Sequence, residues 1–357
     1  MLKVAVVLPY NSFVEVNMCK AFEKAGIDCW FITSDRERLD YRGTGTKFEK
    51  YAKTLQLPTV LDNGLLMQYA PFPITPKLVD TVRSLSVDVV NVSEHISPAT
   101  WLFSIYKKGW KTVLTQHGEV YKKPRDRVYN LLTKRALIPR LDGFVGIALK
   151  TKAFLEKIGA QNVKVIPNPI DCDLFKPEIE YEKRENIVLF VGRADTWRKL
   201  DLLLRAMKIV KHKMKEALLW IIGAEGNLSP YLRRTHDIKY LGIKAHIEMP
   251  KYCNLAKVFV NPPWGAGCGC ATSEALSCGT PIVGTKNLDF PFNWRNGECG
   301  YLVDENPRSL ADAIVEAFLK GNEMSGKCRE LALKQFSYES VGGRYLEVFE
   351  QVLNTGR

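Results

Sequence analysis

The 357-residue sequence lacks several features that mark whole classes of protein. It has no apolar run long enough to span a bilayer, and no charged-then-apolar segment follows Met1, so we expect a cytoplasmic protein. Its histidines, cysteines and carboxylates include no cluster at the spacing of metal ligands. We therefore expect no bound metal, and we expect the nine cysteines to be free thiols in a reducing compartment.

The glycine pattern of a dinucleotide-binding loop is also missing. The segment "VVLPYNSFVEVNM" has no glycine where G-x-G-x-x-G would stand after the first strand, which disfavours a nicotinamide enzyme. The chain has no low-complexity tract either. With 46% hydrophobic and 25% charged residues, it is typical of a globular protein with two domains of ordinary size.

Short apolar runs alternate with helix-like segments in both halves of the chain. The first half places strands in "KVAVVLPY", "DCWFITS", "VDVVNVS", "WKTVLTQHG" and "DGFVGIA", and a helix in "EVNMCKAFEKAG". The second half places strands in "NIVLFVGR", "ALLWIIG", "AKVFVNPP" and "TPIVGT", and helices in "LDLLLRAMKIVKHKM", "TSEALSC" and "SLADAIVEAFLKG". Such alternation predicts two doubly wound, Rossmann-like α/β domains. Ligands of such sheets bind at the carboxyl ends of the strands, here in a shared cleft.

A proline-rich segment, "VKVIPNPIDCDLFKP", separates the two halves and indicates a linker. We predict a first domain over 1–168 and a second over 169–340. A C-terminal helix over 341–357 could pack back on the first domain.

Cations cluster at one turn of the second half. Arg193 follows the strand "IVLFV", and Arg198 and Lys199 come just before the next helix. Three cations around one strand-to-helix turn are costly to assemble without an anion, so they indicate a phosphate site. A solvated basic turn would explain a single surface arginine equally well.

The stretch "PPWGAGCGCATSEALSCGTPIVGT" places a glycine-rich loop before a short helix. Backbone N–H groups of such a loop and helix N-terminus can bind an anion. Glu274, expected in the first turn of "TSEALSC", could accept hydrogen bonds from sugar hydroxyls or only complement the helix dipole. Turns at "IIGAEG" and "YLGIK" add to the expected site. The residues that we expect to line this site are Gly192, Gly223, Tyr240, Gly242, Gly267, Cys268, Gly269, Cys270 and Glu274.

These segments resemble glycosyltransferase family 4, the retaining transferases of the two-Rossmann-domain GT-B fold. The resemblance runs from about Val163 to the C-terminus and includes "KVIPNPIDCDLFKP", "VGRADTWRKLDLLLRAM" and the glycine-rich stretch. It implies two domains facing across a cleft. It also implies transfer of a sugar from a nucleoside diphosphate sugar to a sugar or lipid-linked acceptor, with no further cofactor.

The resemblance also assigns roles to individual residues. It implies that Arg193 and Arg198 hold the donor diphosphate, with Lys199 one position later as the other candidate. It implies that Glu274 binds the nucleotide ribose. It places His117, in "LTQHGE", near the donor sugar.

Two positions depart from the family pattern. The first of the family's paired glutamates would stand at position 266, which is Ala266, and the aromatic position is Cys268. The usual twin glycine after the first strand is also replaced by "PYNSFVEV". We therefore expect the donor sugar and the acceptor to differ from the family pattern, with backbone N–H groups of the loop binding sugar hydroxyls.

Positive charge is concentrated in the first half. From Ile105 to Arg140, ten Lys or Arg face two acidic residues, which accounts for +8 of the net +12 and favours an anionic partner. A helix from Asp126 onward in "YKKPRDRVYNLLTKRALIPR" could lie on the inner face of an anionic membrane, or could be an ordinary core-facing helix. No aromatic-rich basic strand pattern is present, so we expect no nucleic-acid partner.

Two other functions remain open from the sequence. One is a sugar phosphorylase of the same fold, which would use phosphate and no nucleotide. The other is a non-catalytic basic binding protein built on a transferase fold, and Ala266 gives it some support.

Overall fold

The computed structural model describes residues 1–7, 13–34, 53–57, 76–107, 109–118, 130–194, 199–223, 225–227, 232, 237–262 and 268–355. The chain divides into two compact units at Pro169–Ile170. The first unit contains the described residues up to Pro169 together with the C-terminal segment from Tyr338, and the second contains Ile170–Ser337.

Each unit is built on one sheet in which all strand pairs run parallel. The strands of the first sheet are β1 (Lys3–Val7), β2 (Asp28–Ser34), β3 (Thr54–Leu57), β4 (Val89–Ser93), β5 (Lys111–Gln116), β6 (Gly143–Gly146) and β7 (Lys164–Val165). The strands of the second are β8 (Glu185–Val191), β9 (Leu218–Ile222), β10 (Ile238–Gly242), β11 (Ala256–Asn261), β12 (Ile282–Thr285) and β13 (Gly300–Val303).

Both sheets have the same doubly wound order. The strands run β3-β2-β1-β4-β5-β6-β7 in the first unit and β10-β9-β8-β11-β12-β13 in the second. In each case the chain begins in the middle of the sheet, builds one side and then returns to build the other. The predicted class, two Rossmann-like α/β domains, is confirmed.

Helices connect these strands. The α-helices are α1 (Phe13–Lys24), α2 (Pro76–Ser84), α3 (Pro98–Ile105), α4 (Leu149–Lys157), α5 (Leu200–Lys213), α6 (Met249–Leu255), α7 (Cys270–Ser277), α8 (Pro307–Phe336) and α9 (Tyr338–Asn354). A π-helical turn (Thr133–Leu137) and a 3-10 turn (Ile138–Arg140) precede β6, and 3-10 turns also occur at Tyr181–Lys183 and His246–Glu248.

Apolar residues cover both faces of each sheet. Along β1, Val4 and Val6 belong to one buried cluster, while Ala5 and Val7 belong to another. Successive side chains on a strand point to opposite faces, so a sheet covered on both sides needs a continuous apolar run. The same alternation in β8 assigns Ile187 and Leu189 to one face of the second sheet. This burial explains why the central strands could be recognised as continuous apolar segments.

Two local expectations were wrong. The helix in "SLADAIVEAFLKG" does not stop at its glycine, because α8 continues through Gly321 to Phe336. A Cβ at Gly321 would lie 2.7 Å from Cε2 of Tyr181 and closer still to its hydroxyl, so this glycine makes room for a ring. Tyr240, expected in a turn, lies within the edge strand β10.

Candidate active site

The candidate site of the second unit lies where its strand order changes direction. The strands β9 and β11 flank β8 on opposite sides, so the connections from β8 and β11 leave toward opposite sides of the sheet. In sheets of this kind the crevice beyond the carboxyl ends of these two strands binds ligands. Gly192 and Arg193 follow β8, and the glycine-rich stretch follows β11.

Hydrogen bonds between neighbouring strand ends fix the backbone at Arg193. The N–H of Gly192 donates to the carbonyl of Ile222 at 2.8 Å, and the N–H of Gly223 donates to the carbonyl of Gly242 at 2.9 Å. The hydroxyl of Tyr240 donates to the carbonyl of Gly223 at 3.0 Å. The expected donor residues at the ends of β8, β9 and β10 are therefore brought together, and the exposed residue Arg193 directly follows this hydrogen-bonded backbone.

Lys199 occupies the N-cap position of α5, with φ of 56° in the left-handed region. Its ammonium group pairs with the carboxylate of Glu305. This contact neutralises part of the positive charge that the sequence places at the turn. Arg198, the neighbouring candidate, lies outside the described residues.

The amino end of α7 is fastened to the carboxyl end of β11. The side-chain amide of Asn261, the last residue of β11, donates to the carbonyl of Cys268 at 2.9 Å and to the hydroxyl of Thr272 at 2.7 Å. The Thr272 hydroxyl also donates to the Cys268 carbonyl, at 2.6 Å. A helix N-terminus carries partial positive charge, so this arrangement presents an anion-binding helix end at the switch point. We did not identify Asn261 from the sequence, although a polar residue ending "VFVN" was a usable signal.

The expected donor residues Cys268, Gly269 and Cys270 surround the start of α7 but differ in exposure. Cys268 is buried, and burial raises the pKa of its thiol to about 12, so the thiol stays protonated. The side chain belongs to the core, so only its backbone can serve a ligand. Gly269 directly precedes α7, and Cys270, its first residue, is partly exposed. Gly267 and Ala266 lie outside the described residues.

Glu274 is more buried than we expected. The helix α7 begins at Cys270, so Glu274 lies in its second turn, and the expectation of a first-turn acid was wrong. Its side chain is 5% exposed, and Oε1 lies 2.7 Å from Nε2 of His246. Burial lowers the pKa of His246, but the hydrogen bond and charge of Glu274, together with the charge of Asp171, outweigh burial and raise it above its ordinary value. The sequence did not reveal this pair, because His246 and Glu274 lie 28 positions apart in the chain.

A second polar cluster ends the central strands of the first unit. His117 follows β5, and its N–H donates to Oε1 of Glu94, just past β4, at 3.2 Å. The Gln116 side chain donates to the other carboxylate oxygen of Glu94 and accepts the backbone N–H of His95 at 3.0 Å. Glu94 has φ of 65°, a strained conformation for a residue with a side chain. Glu94, His95 and Gln116 escaped the sequence analysis, although "SEH" directly after a strand was a signal.

Both histidines of this cluster are neutral at physiological pH. Burial lowers the pKa of His117 to about 4, against a hydrogen bond to Asn168 that raises it. Burial likewise lowers the pKa of His95 to about 4, against a hydrogen bond to Gln116. A neutral imidazole can donate through one nitrogen and accept through the other, which suits hydrogen bonding to sugar hydroxyls.

The described residues offer neither a metal-binding cluster nor a membrane-spanning helix. No group of three or more His, Cys, Asp or Glu side chains is placed to hold a metal ion within them. No helix in this part of the chain is long and apolar enough to cross a membrane.

Comparisons with known proteins assign the family. Residues 14–174 match a model described as "Glycosyltransferase Family 4", and residues 185–319 match one described as "Glycosyl transferases group 1". The chain belongs to glycosyltransferase family 4. These matches confirm the resemblance noted in the sequence. The protein is therefore an enzyme of the glycosyltransferase class.

Relatives and solved structures agree with this assignment. The phosphatidyl-myo-inositol mannosyltransferase of Mycobacterium tuberculosis is 25% identical over 286 residues, which cover 75% of each chain. A glycosyltransferase structure from Rickettsia africae covers 99% of both chains with a TM-score of 0.75 at 15% identity. HepE of Anabaena, solved with UDP and glucose, covers 98% of this chain and all of its own with a TM-score of 0.70 at 14% identity. The structural likeness confirms the GT-B fold.

Proposed function

We propose that this family 4 glycosyltransferase takes its sugar from a nucleoside diphosphate sugar and transfers it with retention at the anomeric carbon. The observation that carries the proposal is the juxtaposition of Arg193 and the amino end of α7 at the switch point of the second sheet. An arginine fork and a helix N-terminus both bind phosphate oxygens. The Anabaena neighbour, solved with UDP and glucose, supports a nucleotide donor.

The proposed chemistry is breakage of the bond between the anomeric carbon and the phosphate oxygen. Negative charge grows on the leaving diphosphate, and Arg193, Arg198 or Lys199, and the α7 N-terminus stabilise that charge more in the transition state than in the ground state. The acceptor hydroxyl oxygen bonds to the anomeric carbon on the face that the diphosphate leaves, and its proton passes to the departing phosphate oxygen. We propose that these cations serve in place of a divalent metal ion.

Ribose and sugar contacts complete the proposed donor site. Glu274 accepts hydrogen bonds from ribose hydroxyls in addition to its contact with His246, because each carboxylate oxygen can accept more than one hydrogen bond. The neutral imidazole of His117, at the end of β5 in the first unit, is suited to hydrogen-bonding a sugar hydroxyl.

A screen of nucleotides and nucleotide sugars tests the proposal. A true donor stabilises the folded state measurably at saturating concentration, and a labelled sugar then moves to an acceptor. If phosphate but no nucleotide binds in calorimetry, the enzyme is a phosphorylase. If the protein neither hydrolyses nor transfers any donor sugar, the proposed reaction is refuted.

We further propose a lipid-linked acceptor reached from an anionic membrane surface. The Mycobacterium tuberculosis relative is named for a phosphatidylinositol substrate. Ahead of β6 in the sequence, Leu131 and Leu132 are 48% and 54% exposed, and the neighbouring Lys134 and Arg135 are also exposed. Leu137, further along the same turn, is buried in the core instead. Residues 119–129 of this basic segment lie outside the described residues.

Liposome sedimentation at low salt tests this contact. We expect binding to anionic but not to neutral vesicles, and replacement of Leu131 and Leu132 by serine to weaken it by about tenfold or more. Leu333, 40% exposed on α8, provides a matched control when replaced by serine. Protein that stays in the supernatant with both kinds of vesicle would refute membrane contact.

A further inference from the structure

The buried carboxylate of Glu274 has a histidine partner, His246. His246 lies in the 3-10 turn after β10, and its Nε2 is 2.7 Å from Oε1 of the buried Glu274. Its side chain is 39% exposed, whereas that of Glu274 is 5% exposed. A buried carboxylate needs a fixed partner to remain ionised and to keep one orientation. His246 is the hydrogen-bond donor available to it in this contact.

The ring of His246 is itself held in place from behind. The Phe175 ring lies against it, with 5.2 Å between the ring centroids. The backbone carbonyl of Phe175 accepts hydrogen bonds from the Ser277 hydroxyl at 2.5 Å and from Nη1 of Arg329 at 2.8 Å. Helices α7 and α8 therefore immobilise the segment that supports the histidine. Because its support is fixed, the His246 side chain can determine the orientation of the Glu274 carboxylate that it contacts.

Charge reinforces this geometry. Asp171, which starts the segment that includes Phe175, adds its negative charge to that of Glu274 in favouring the imidazolium form of His246. The Asp171 carboxylate is held by the backbone N–H groups of Asp173 and Leu174, at 3.1 and 2.9 Å. Two fixed acids thus favour the charged form of His246.

We propose that His246 is a positioning residue that holds Glu274 in the orientation required to bind the ribose hydroxyls of the donor nucleotide. The proposal rests on the nucleoside diphosphate donor assigned above. His246 engages Oε1 of Glu274, and a carboxylate can accept further hydrogen bonds from hydroxyl donors. Specificity for a ribonucleotide then depends on a residue that need not touch the ribose.

Calorimetry with paired nucleotides tests the proposal. UDP, GDP and ADP are each compared with their 2′,3′-dideoxy forms, which lack the hydroxyls but keep the base and diphosphate. We expect the full-length wild-type enzyme to prefer the ribose form of its nucleotide by about tenfold or more. His246→Ala should reduce that preference to within about threefold and leave affinity for the dideoxy form unchanged. A general structural loss would weaken both forms together.

Conservative variants separate positioning from folding. His246→Gln keeps a donor of similar reach and should retain most of the preference, whereas the shorter His246→Asn should lose it. His212→Ala, which removes an exposed histidine of α5, is the matched control and should change nothing. If His246→Ala does not fold, the comparison of the Gln and Asn variants decides the question.

The outcomes distinguish the two proposals. If the wild-type enzyme binds none of the nucleotides, the donor assignment fails and this inference fails with it. If it prefers the ribose form but the Ala and Asn variants keep that preference, only the role of His246 is refuted. Equal binding of ribose and dideoxy forms by the wild type would also refute it, while the donor assignment would stand.

Discussion

The closest backbone approach in the candidate site predicts a large effect for Gly223→Ala. Gly223 has φ of 148°, and a Cβ there would lie 2.5 Å from the carbonyl carbon of Gly192 and closer still to its oxygen. Carbon atoms in ordinary contact are about 3.5–4.0 Å apart, so the ends of β8 and β9 must separate by about 1 Å. Overpacking costs about 1–3 kcal/mol. The positive φ adds about 1–2 kcal/mol, for a total loss of about 2–5 kcal/mol in unfolding free energy.

Urea denaturation measures this loss, and two other glycines provide controls. Gly242→Ala also imposes a positive φ, of 66°, but its Cβ would meet nothing within 4 Å, so we expect only about 1–2 kcal/mol. Gly300→Ala would clash with the backbone of Ile282 at the amino end of β13, on the far edge of the sheet from the site. It should destabilise the fold without affecting ligand affinity.

Nucleotide calorimetry then shows whether the strand ends position Arg193. A displacement of about 1 Å can cost about a hundredfold in function, so the folded Gly223→Ala protein should bind nucleoside diphosphate at least tenfold more weakly. Equal losses of unfolding free energy for Gly223→Ala and Gly242→Ala would refute the steric argument. Unchanged affinity would show that this backbone contact does not position the phosphate ligand.

Other measurements address single residues of the site. Arg193→Ala should weaken nucleoside diphosphate binding about tenfold or more at an unchanged melting temperature, and unchanged affinity would remove the assignment. Arg198→Ala should cost more affinity than Lys199→Ala, because Lys199 is paired with Glu305, and the reverse order would contradict this. The initial rate of transfer should be the same with and without a chelator; activity lost in chelator and restored by magnesium or manganese would overturn the metal-independent mechanism. The free energy of unfolding should fall as the pH falls from 6.5 toward 4, because His117 binds a proton in the unfolded chain but stays neutral in the folded protein. Over that pH range the His117→Asn variant should lose up to about 3 kcal/mol less of this free energy than the wild type.

The central strands were predictable because burial on both faces demands uninterrupted apolar sequence. Edge strands were not recognised, because each pairs with a strand on one side only and its sequence is short or mixes polar with apolar residues. The clearest example is β10, "IKYLG", where Tyr240 and Gly242 were interpreted as turn residues. The strands β3 and β7 lie at the two edges of the first sheet, and neither was predicted.

Candidate site residues could be proposed where the chemistry is local in the sequence. Arg193 was proposed because it directly follows an apolar strand, and the helix α7 was recognised from the glycines before it and Gly279 after it. The contacts that orient these residues join distant segments, and no local pattern records them. Glu274 illustrates the limit: its carboxylate was identified, but its burial and its histidine partner depend on how α7 packs against the turn after β10.

The C-terminal helix α9 has a consequence for protein synthesis. Its residues Val341, Tyr345 and Phe349 pack in the same buried cluster as Phe22 of α1, and the Tyr345 hydroxyl lies 3.1 Å from that of Thr115. The ribosome therefore releases all the strands of the first unit, and then the entire second unit, before the helix that covers one face of the first sheet exists. The unit that begins first is completed last, and its nascent chain leaves apolar surface exposed to chaperones and to aggregation during that interval. A premature stop codon just before α9 would consequently damage the first unit, while the second unit, which ends at Ser337, would be complete.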